Sequence, residues 1–280
     1  MVRRRTKAAQ LRPGFTERYG AWALVAGASE GLGAAYARAL AERGMNLVLI
    51  ARRRALLDRL AEDLRGTFGI EVRCCEGDLA SLAFLETLHT VCSGLDVGLM
   101  VYNATYAPVG EFEHTALEDL MCVVDVNVRA PVALLRAFLP SMTERGRGAV
   151  VLMTSLAGNQ GTPRIAAYAA SKAFTRVLGE GLWHELENRG IDVVTCCAGA
   201  VRTPGYAVTA DKDAPGTLDP EEVVEEALNA LGRGPLVIPG FVNRAASVVM
   251  GRLLPRRAAI AIMAGSTRKL APTKATKSRQ

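Results

Sequence analysis

An α/β fold built on a doubly wound parallel sheet is what this sequence predicts, and three observations carry the prediction. Short apolar runs alternate with amphipathic stretches of helical length through most of the 280 residues. The first apolar run passes into a glycine-rich turn, and a second apolar run follows one helix later. The polar residues with chemical potential fall just past the carboxyl ends of the expected strands, where open parallel sheets bind ligands. A sheet of about seven strands in one domain, covered by helices on both faces, is expected.

Taken in order, residues 22–27 (Trp-Ala-Leu-Val-Ala-Gly) form a buried strand entering a turn, and 34–43 a helix that Gly44 stops. Residues 45–50 make the second strand, and 54–65 a helix with Leu56, Leu57, Leu60 and Leu64 on one side. Further strands are expected at 71–76, 97–102, 148–154, 191–197 and 236–238. Helices are expected at 82–92, over 115–139 with an end near Pro140, and at about 166–188. The opening unit is therefore βαβ with the turn Gly27-Ala-Ser-Glu-Gly31-Leu-Gly33, which makes the domain Rossmann-type. Glycines there permit a tight turn and let backbone N–H groups at a helix N-terminus approach a pyrophosphate. The spacing is G-x-x-x-G-x-G rather than the commoner G-x-G-x-x-G. Gly27, Ser29, Glu30, Gly31, Leu32 and Gly33 are accordingly candidate cofactor contacts.

The second chemical feature is Ser155-x₁₂-Tyr168-x₃-Lys172. Four residues apart on a helix, Tyr168 and Lys172 share a face. An ammonium beside a phenol favours the phenolate, so the pair is expected to lower a pKa normally near 10. A tyrosine titrating closer to neutrality exchanges a proton with an alcohol or carbonyl oxygen. Ser155, at the end of the fifth strand, is either a second hydroxyl of that site or an N-cap.

Composition excludes other classes. The six cysteines stand at 74, 75, 92, 122, 196 and 197 without a C-x-x-C pair, and the three histidines are scattered, so no metal site is expected. Cys-Cys doublets inside apolar runs read as reduced core thiols, which suits a cytoplasmic compartment. The start, Met-Val-Arg-Arg-Arg, does not resemble a signal peptide, and no apolar run is long enough to span a bilayer. The formal net charge of +6 belongs to the ends: residues 1–12 carry five basic side chains and 241–280 carry nine, with no acid in either, leaving −8 between them. No basic stripe interleaved with aromatics suggests a nucleic-acid partner.

Together, Gly27-x₃-Gly31-x-Gly33, Asp78, Asn103-Ala104, Asn127, Ser155, Tyr168-x₃-Lys172 and Gly199 resemble the short-chain dehydrogenase/reductase family in order and spacing over residues 20–240. More loosely, Arg18-Tyr-Gly-Ala-Trp-Ala-Leu and Gly94-Leu-Asp-Val-Gly-Leu-Met are similar to bacterial hydroxysteroid dehydrogenases. The run at 44–53 is similar to reductases of steroids and long-chain 3-oxoacyl thioesters. The resemblance implies hydride transfer between a nicotinamide ring and a ketone or secondary alcohol. It implies Tyr168 as acid/base, with Lys172 tuning the phenol and binding the nicotinamide ribose. Ser155 would hold the substrate oxygen, and Asn127 would anchor a water of a proton relay. It assigns Asp78 and Leu79 to the adenine, Asn103 and Ala104 to the adenosine ribose, and Gly199, Val201 and Thr203 to the nicotinamide side. Departures occur at Ala26, Tyr102, Thr105 and Ala198, all in cofactor-bracing segments.

The dinucleotide is expected to be NADP(H) rather than NAD(H). The second strand ends in Ala51-Arg52-Arg53 with no acid before Asp58, and guanidinium groups suit a 2′-phosphate whereas an acid suits a free 2′-OH. Substrate specificity is expected in loops 156–165 and 204–218, with Tyr106-Ala-Pro-Val109 as a further wall. A largely uncharged pocket points to a lipophilic, hydroxysteroid-like ketone or alcohol. A 3-oxoacyl carrier-protein or CoA thioester reductase is the rival enzyme, and a non-catalytic NADP(H) sensor or scaffold the rival from another class. A basic arm (1–19), the main domain (20–240) and an apolar-basic extension (241–280) complete the organisation. The extension is read either as subunit packing or a substrate lid, or as a helix pair on an anionic membrane. The helices at 115–139 and 166–187 form dimer contacts in the resembled family, so a homodimer or homotetramer is expected.

Overall fold

The computed structural model describes residues 14–209, 212–268 and 270–271. Most of the expected N-terminal arm (1–13), Lys269 and the tail 272–280 lie outside the described residues. A short helix α1 (Phe15–Tyr19) precedes β1 (Trp22–Ala26), α2 (Gly31–Glu42), β2 (Asn46–Ala51), α3 (Arg54–Phe68) and β3 (Val72–Glu76). There follow α4 (Phe84–Cys92), β4 (Val97–Tyr102), α5 (Leu117–Val124), α6 (Ala130–Arg145) and β5 (Gly148–Ser155). The remainder is α7 (Ala166–Leu186), β6 (Ile191–Ala198), α8 (Pro204–Thr209), α9 (Pro220–Ala230), β7 (Leu236–Val237), α10 (Phe241–Val248) and α11 (Arg256–Thr267).

The seven strands form one parallel sheet in the order β3-β2-β1-β4-β5-β6-β7. Side-chain alternation divides β1 between two cores. Ala23 and Val25 pack with Tyr36, Leu40, Leu57 and Val223 on one face; Leu24 and Ala26 pack with Leu88, Leu134 and Leu186 on the other. Strands covered on both sides need continuous apolar runs, which is what the sequence supplies. The strand order reverses between β1 and β4, so a crevice opens there at the carboxyl edge.

Two elements differ from expectation. The helical stretch after β4 is two helices joined by a wide π-type turn at Asp125–Arg129. It also runs past Pro140 to Arg145. A proline removes one hydrogen bond, to the carbonyl four residues back. Arg136 and Pro140 are both exposed, so that carbonyl is open to solvent, and the Thr143 hydroxyl donates to the Leu139 and Pro140 carbonyls. The fourth helix begins at Phe84 rather than 82, and Asp78 does not cap it. Asp78 Oδ1 accepts instead from Ala80 N at 3.0 Å, closing the turn ahead of it.

Candidate active site

A groove of about 460 Å³ lies at the switch point between β1 and β4. Its floor is the β1–α2 turn. Gly27 has φ +82, and a Cβ on it would stand 2.7 Å from the Ala104 backbone; one on Gly33 would stand 1.9 Å from the Gly27 carbonyl. Only glycine allows this approach of turn, helix and β4. Glu30 at the N-cap makes no side-chain cap, so the first-turn N–H groups of α2 are left for a ligand. Asn103 Nδ2 donates to the Gly27 carbonyl at 3.1 Å, bracing the turn.

The structure brings Gly27, Ser29, Glu30, Gly31, Leu32, Arg52, Arg53, Asp78, Leu79, Asn103, Ala104 and Thr203 together as walls of this groove. Ala51 lines it at the end of β2, beside Glu76 on β3, and the chain continues from it into the two arginines. Arg53 Nη2 bonds Ser29 Oγ at 2.9 Å and pairs with Glu30 Oε1 at 2.8 Å, whereas Arg52 is exposed at the groove. The donor set fits a dinucleotide: backbone N–H groups at the start of α2 suit a pyrophosphate, and the groove reaches the arginines at the end of β2. Gly77 and Val126 also line the groove and were not singled out in the sequence. Both lie at positions fixed only by how β3 and the π-turn meet the sheet.

Of the expected cofactor contacts, Gly33, Gly199, Val201, Tyr168 and Lys172 are not among the residues that line the groove. Gly33 serves the packing just described. Val201 is buried and bridges to Leu218. Gly199 faces Asn243, whose Oδ1 would stand 2.6 Å from a Cβ at 199. Thr203 Oγ1 accepts from Tyr206 N at 3.2 Å at the start of α8, so the expected 204–218 loop opens with a helix.

Beyond the groove, β5 and α7 assemble the second group. Ser155 ends β5, and its Oγ accepts from Ala157 N at 3.2 Å, so the capping role is real. The same hydroxyl neighbours the Tyr168 phenol and acts on it as a hydrogen-bonding group that draws its pKa down. The two roles are compatible because a hydroxyl both accepts and donates. Lys172 is buried; its Nζ donates to the Met153 carbonyl at 3.0 Å and lies 5.6 Å from the Tyr168 ring centroid.

The electrostatics correct the sequence expectation. Tyr168 is held above the usual phenol range, because desolvation outweighs the Ser155 hydrogen bond that pulls it down. Burial also pushes Lys172 down to about 8. A lysine that is itself partly neutralised, and aimed at a main-chain carbonyl, does not drive the phenol acidic. Burial therefore favours the neutral phenol at Tyr168.

Asn127 sits in the π-turn, which rotates its side chain inward. It accepts from Tyr106 N at 2.8 Å and donates to the Tyr106 carbonyl at 2.9 Å and to Ser171 Oγ at 3.0 Å. It thus ties the segment after β4 to α7; none of these partners is Lys172. A small cavity beside Tyr168, of about 10 Å³, is walled by Pro108, Phe112, Leu120 and Ile165. Glu111, Glu113 and His114 gather on a nearby exposed turn, where the imidazole pairs with both carboxylates.

A phenol, a hydroxyl and a buried amine gathered where β5 meets α7 are groups of the kind that proton transfer to an oxygen requires. The sequence matches the short chain dehydrogenase family over residues 21–214. The chain belongs to that family. It is an NAD(P)-dependent oxidoreductase acting on CH–OH groups. The 7beta-hydroxysteroid dehydrogenase of Clostridium sardiniense is 33% identical over 233 residues, spanning 82% of this chain and 89% of that one. A solved 7beta-hydroxysteroid dehydrogenase superposes with a TM-score of 0.83 at 31% identity, covering 89% of this chain and 98% of its own. A short-chain dehydrogenase from Sphingobium yanoikuyae in complex with NADPH superposes with a TM-score of 0.73 at 33% identity, covering 80% and 89%. The protein shares their seven-stranded scaffold.

Proposed function

We propose that this dehydrogenase is an NADP(H)-dependent reductase of a lipophilic, hydroxysteroid-like ketone. The observation that carries the reading is the pairing of a protonated Tyr168, hydrogen-bonded to Ser155, with a groove whose far end offers Arg52 and no carboxylate after Ala51. The bound nicotinamide supplies or accepts the hydride. Ser155 orients the substrate oxygen, Tyr168 protonates it, and Lys172 bonds the nicotinamide ribose as well as bracing Met153. Asn127 holds the 105–106 wall in register with α7. Hydroxysteroid dehydrogenases among the relatives support a substrate with a hydrocarbon skeleton. Turnover of a panel of steroid ketones and 3-oxoacyl thioesters, followed by NADPH absorbance, tests it. Preference for the thioesters would establish the rival reductase, and cofactor binding without any turnover the sensor reading.

Two outcomes belong to the same reading. The double change Ala51→Asp/Arg52→Ser places a carboxylate at the end of β2 and removes a guanidinium. It should reverse the ratio of kcat/KM for NADPH over NADH, by about tenfold or more, since the 2′-phosphate no longer receives a charge-assisted hydrogen bond. An unchanged ratio refutes the NADP(H) assignment. A homo-oligomer is read from α5 and α7, where Leu117 is 67% and Val177 68% exposed alongside Met121 and Phe174. Leu117→Glu/Val177→Glu should yield monomers by light scattering, and an unaltered mass would refute that face. All six cysteines are free thiols, which supports a reducing, cytoplasmic setting.

A further inference from the structure

Helix α10 wears its amphipathicity outside in. On α10 the side turned to the protein is polar. Asn243 is buried, donating to the Gly216 and Pro239 carbonyls at 3.0 and 2.9 Å, and Ser247 Oγ accepts from Asn159 Nδ2 at 3.2 Å. The opposite side, at 241, 245, 248 and 249, falls on one helical stripe, with Val242 and Leu253 at its margin. That side faces solvent and is apolar: Phe241 is 78% and Leu253 70% exposed, with Val242, Val248 and Val249 exposed between them. A globular protein normally places such a stripe against its core. Here it is turned outward along the length of the element, which marks an interaction surface.

Charge decides what covers it. Residues 241–280 contain no Asp or Glu. Arg244 is paired with Glu226, and Arg256 donates to the Asn159 carbonyl, but Arg252, in the turn that continues the stripe, is exposed, as are Arg257 on α11 and Arg268 just past it. In a symmetric contact with a second copy, this face would meet itself and set arginine against arginine. An anionic lipid surface rewards both components, taking the apolar side chains into the acyl boundary and the guanidinium groups onto the headgroups. We propose that the outward face of α10 and the turn after it docks on anionic bilayer surfaces.

The location gives the docking a purpose. The same extension walls the loop between Ser155 and Tyr168. Arg164, the one non-glycine among the described residues with positive φ (66), donates from Nη1 to the carbonyls of Thr267 and Leu270 at 2.6 and 3.0 Å. Asn159 joins that loop to α10 and, through Arg176 at 2.7 Å, to α7. A surface seated on lipid at α10 is therefore tied through Asn159 to the loop that runs from Ser155 to Tyr168.

Flotation of the full chain with phosphatidylcholine vesicles, with and without phosphatidylglycerol, tests the proposal without using turnover, so its failure and that of the proposed reaction are separable. The chain is expected to float with the anionic vesicles at low salt and not with phosphatidylcholine alone. Phe241→Ser/Val248→Ser/Leu253→Ser should abolish flotation. Each of Arg252→Gln and Arg257→Gln should weaken it about fivefold. Phe241→Ser alone, at a side chain already in solvent, serves if the triple variant does not fold. Wild-type chain that stays with the buffer, or serine variants that float undiminished, would overturn the proposal. So would an oligomer that only the serine variants disperse, which would assign the face to a second copy.

Discussion

Tyr168→Phe should lower turnover by about 10²–10⁴-fold while leaving NADPH affinity and melting temperature near those of the wild type. The substitution removes one hydroxyl from a half-buried ring and keeps the ring's packing. The local cost is one hydrogen bond to Ser155, worth about 1 kcal/mol. Catalysis loses the proton that the ketone oxygen must receive. The raised phenol pKa gives a second readout. A group that keeps its proton to alkaline pH supports reduction across neutral pH and limits it only as pH climbs towards that value. The reverse reaction needs the phenolate and should rise over the same range. Stopped-flow turnover in both directions, with cofactor titration by fluorescence, measures all of this. Full activity of the phenylalanine variant would remove Tyr168 as the acid/base.

The scaffold and most of the groove were legible because they rest on local signals. Glycines at 27, 31 and 33 between two apolar runs announce a βαβ turn, and the missing acid after Ala51 is visible as it stands. The features that escaped depend on through-space packing. Nothing at 125–129 carries the Gly or Pro that usually marks a helix irregularity, yet the π-turn there aims Asn127 inward. Pro140 carries such a mark and breaks nothing, since the freed carbonyl lies on the exposed side. The spacing of Tyr168 and Lys172 was right, but its electrical consequence was not. Spacing shows a cation near a phenol; it does not show that both are desolvated, or that the ammonium is committed to Met153. Likewise the apolar positions of 241–253 read the same from sequence whether they face inward or out. Only the burial of Asn243 settles which.

The Lys172→Met variant should be inactive and yet no less stable than the wild type at pH 7. Lys172 is 5% exposed, and burial brings its pKa from 10.5 to about 8. That depression is a folding penalty on the charged form of about 3 kcal/mol. The ammonium recovers about 1 kcal/mol through its bond to the Met153 carbonyl, and methionine fills a similar volume without either contribution. A net gain of about 2 kcal/mol is expected. The sign follows from proton binding: between pH 8 and 10.5 the unfolded chain holds the Lys172 proton that the folded chain has released, so the Lys172 contribution to stability rises with pH across that window. The buried thiols, held above their usual range, pull the other way in both proteins, so the readout is the difference between them: the advantage of the methionine variant should shrink through the window and close at its upper end. Urea titrations at a series of pH values read both quantities. A methionine variant destabilised at neutral pH would mean that the ammonium is a net support of the fold. The site would then not be one that gives up stability for chemistry.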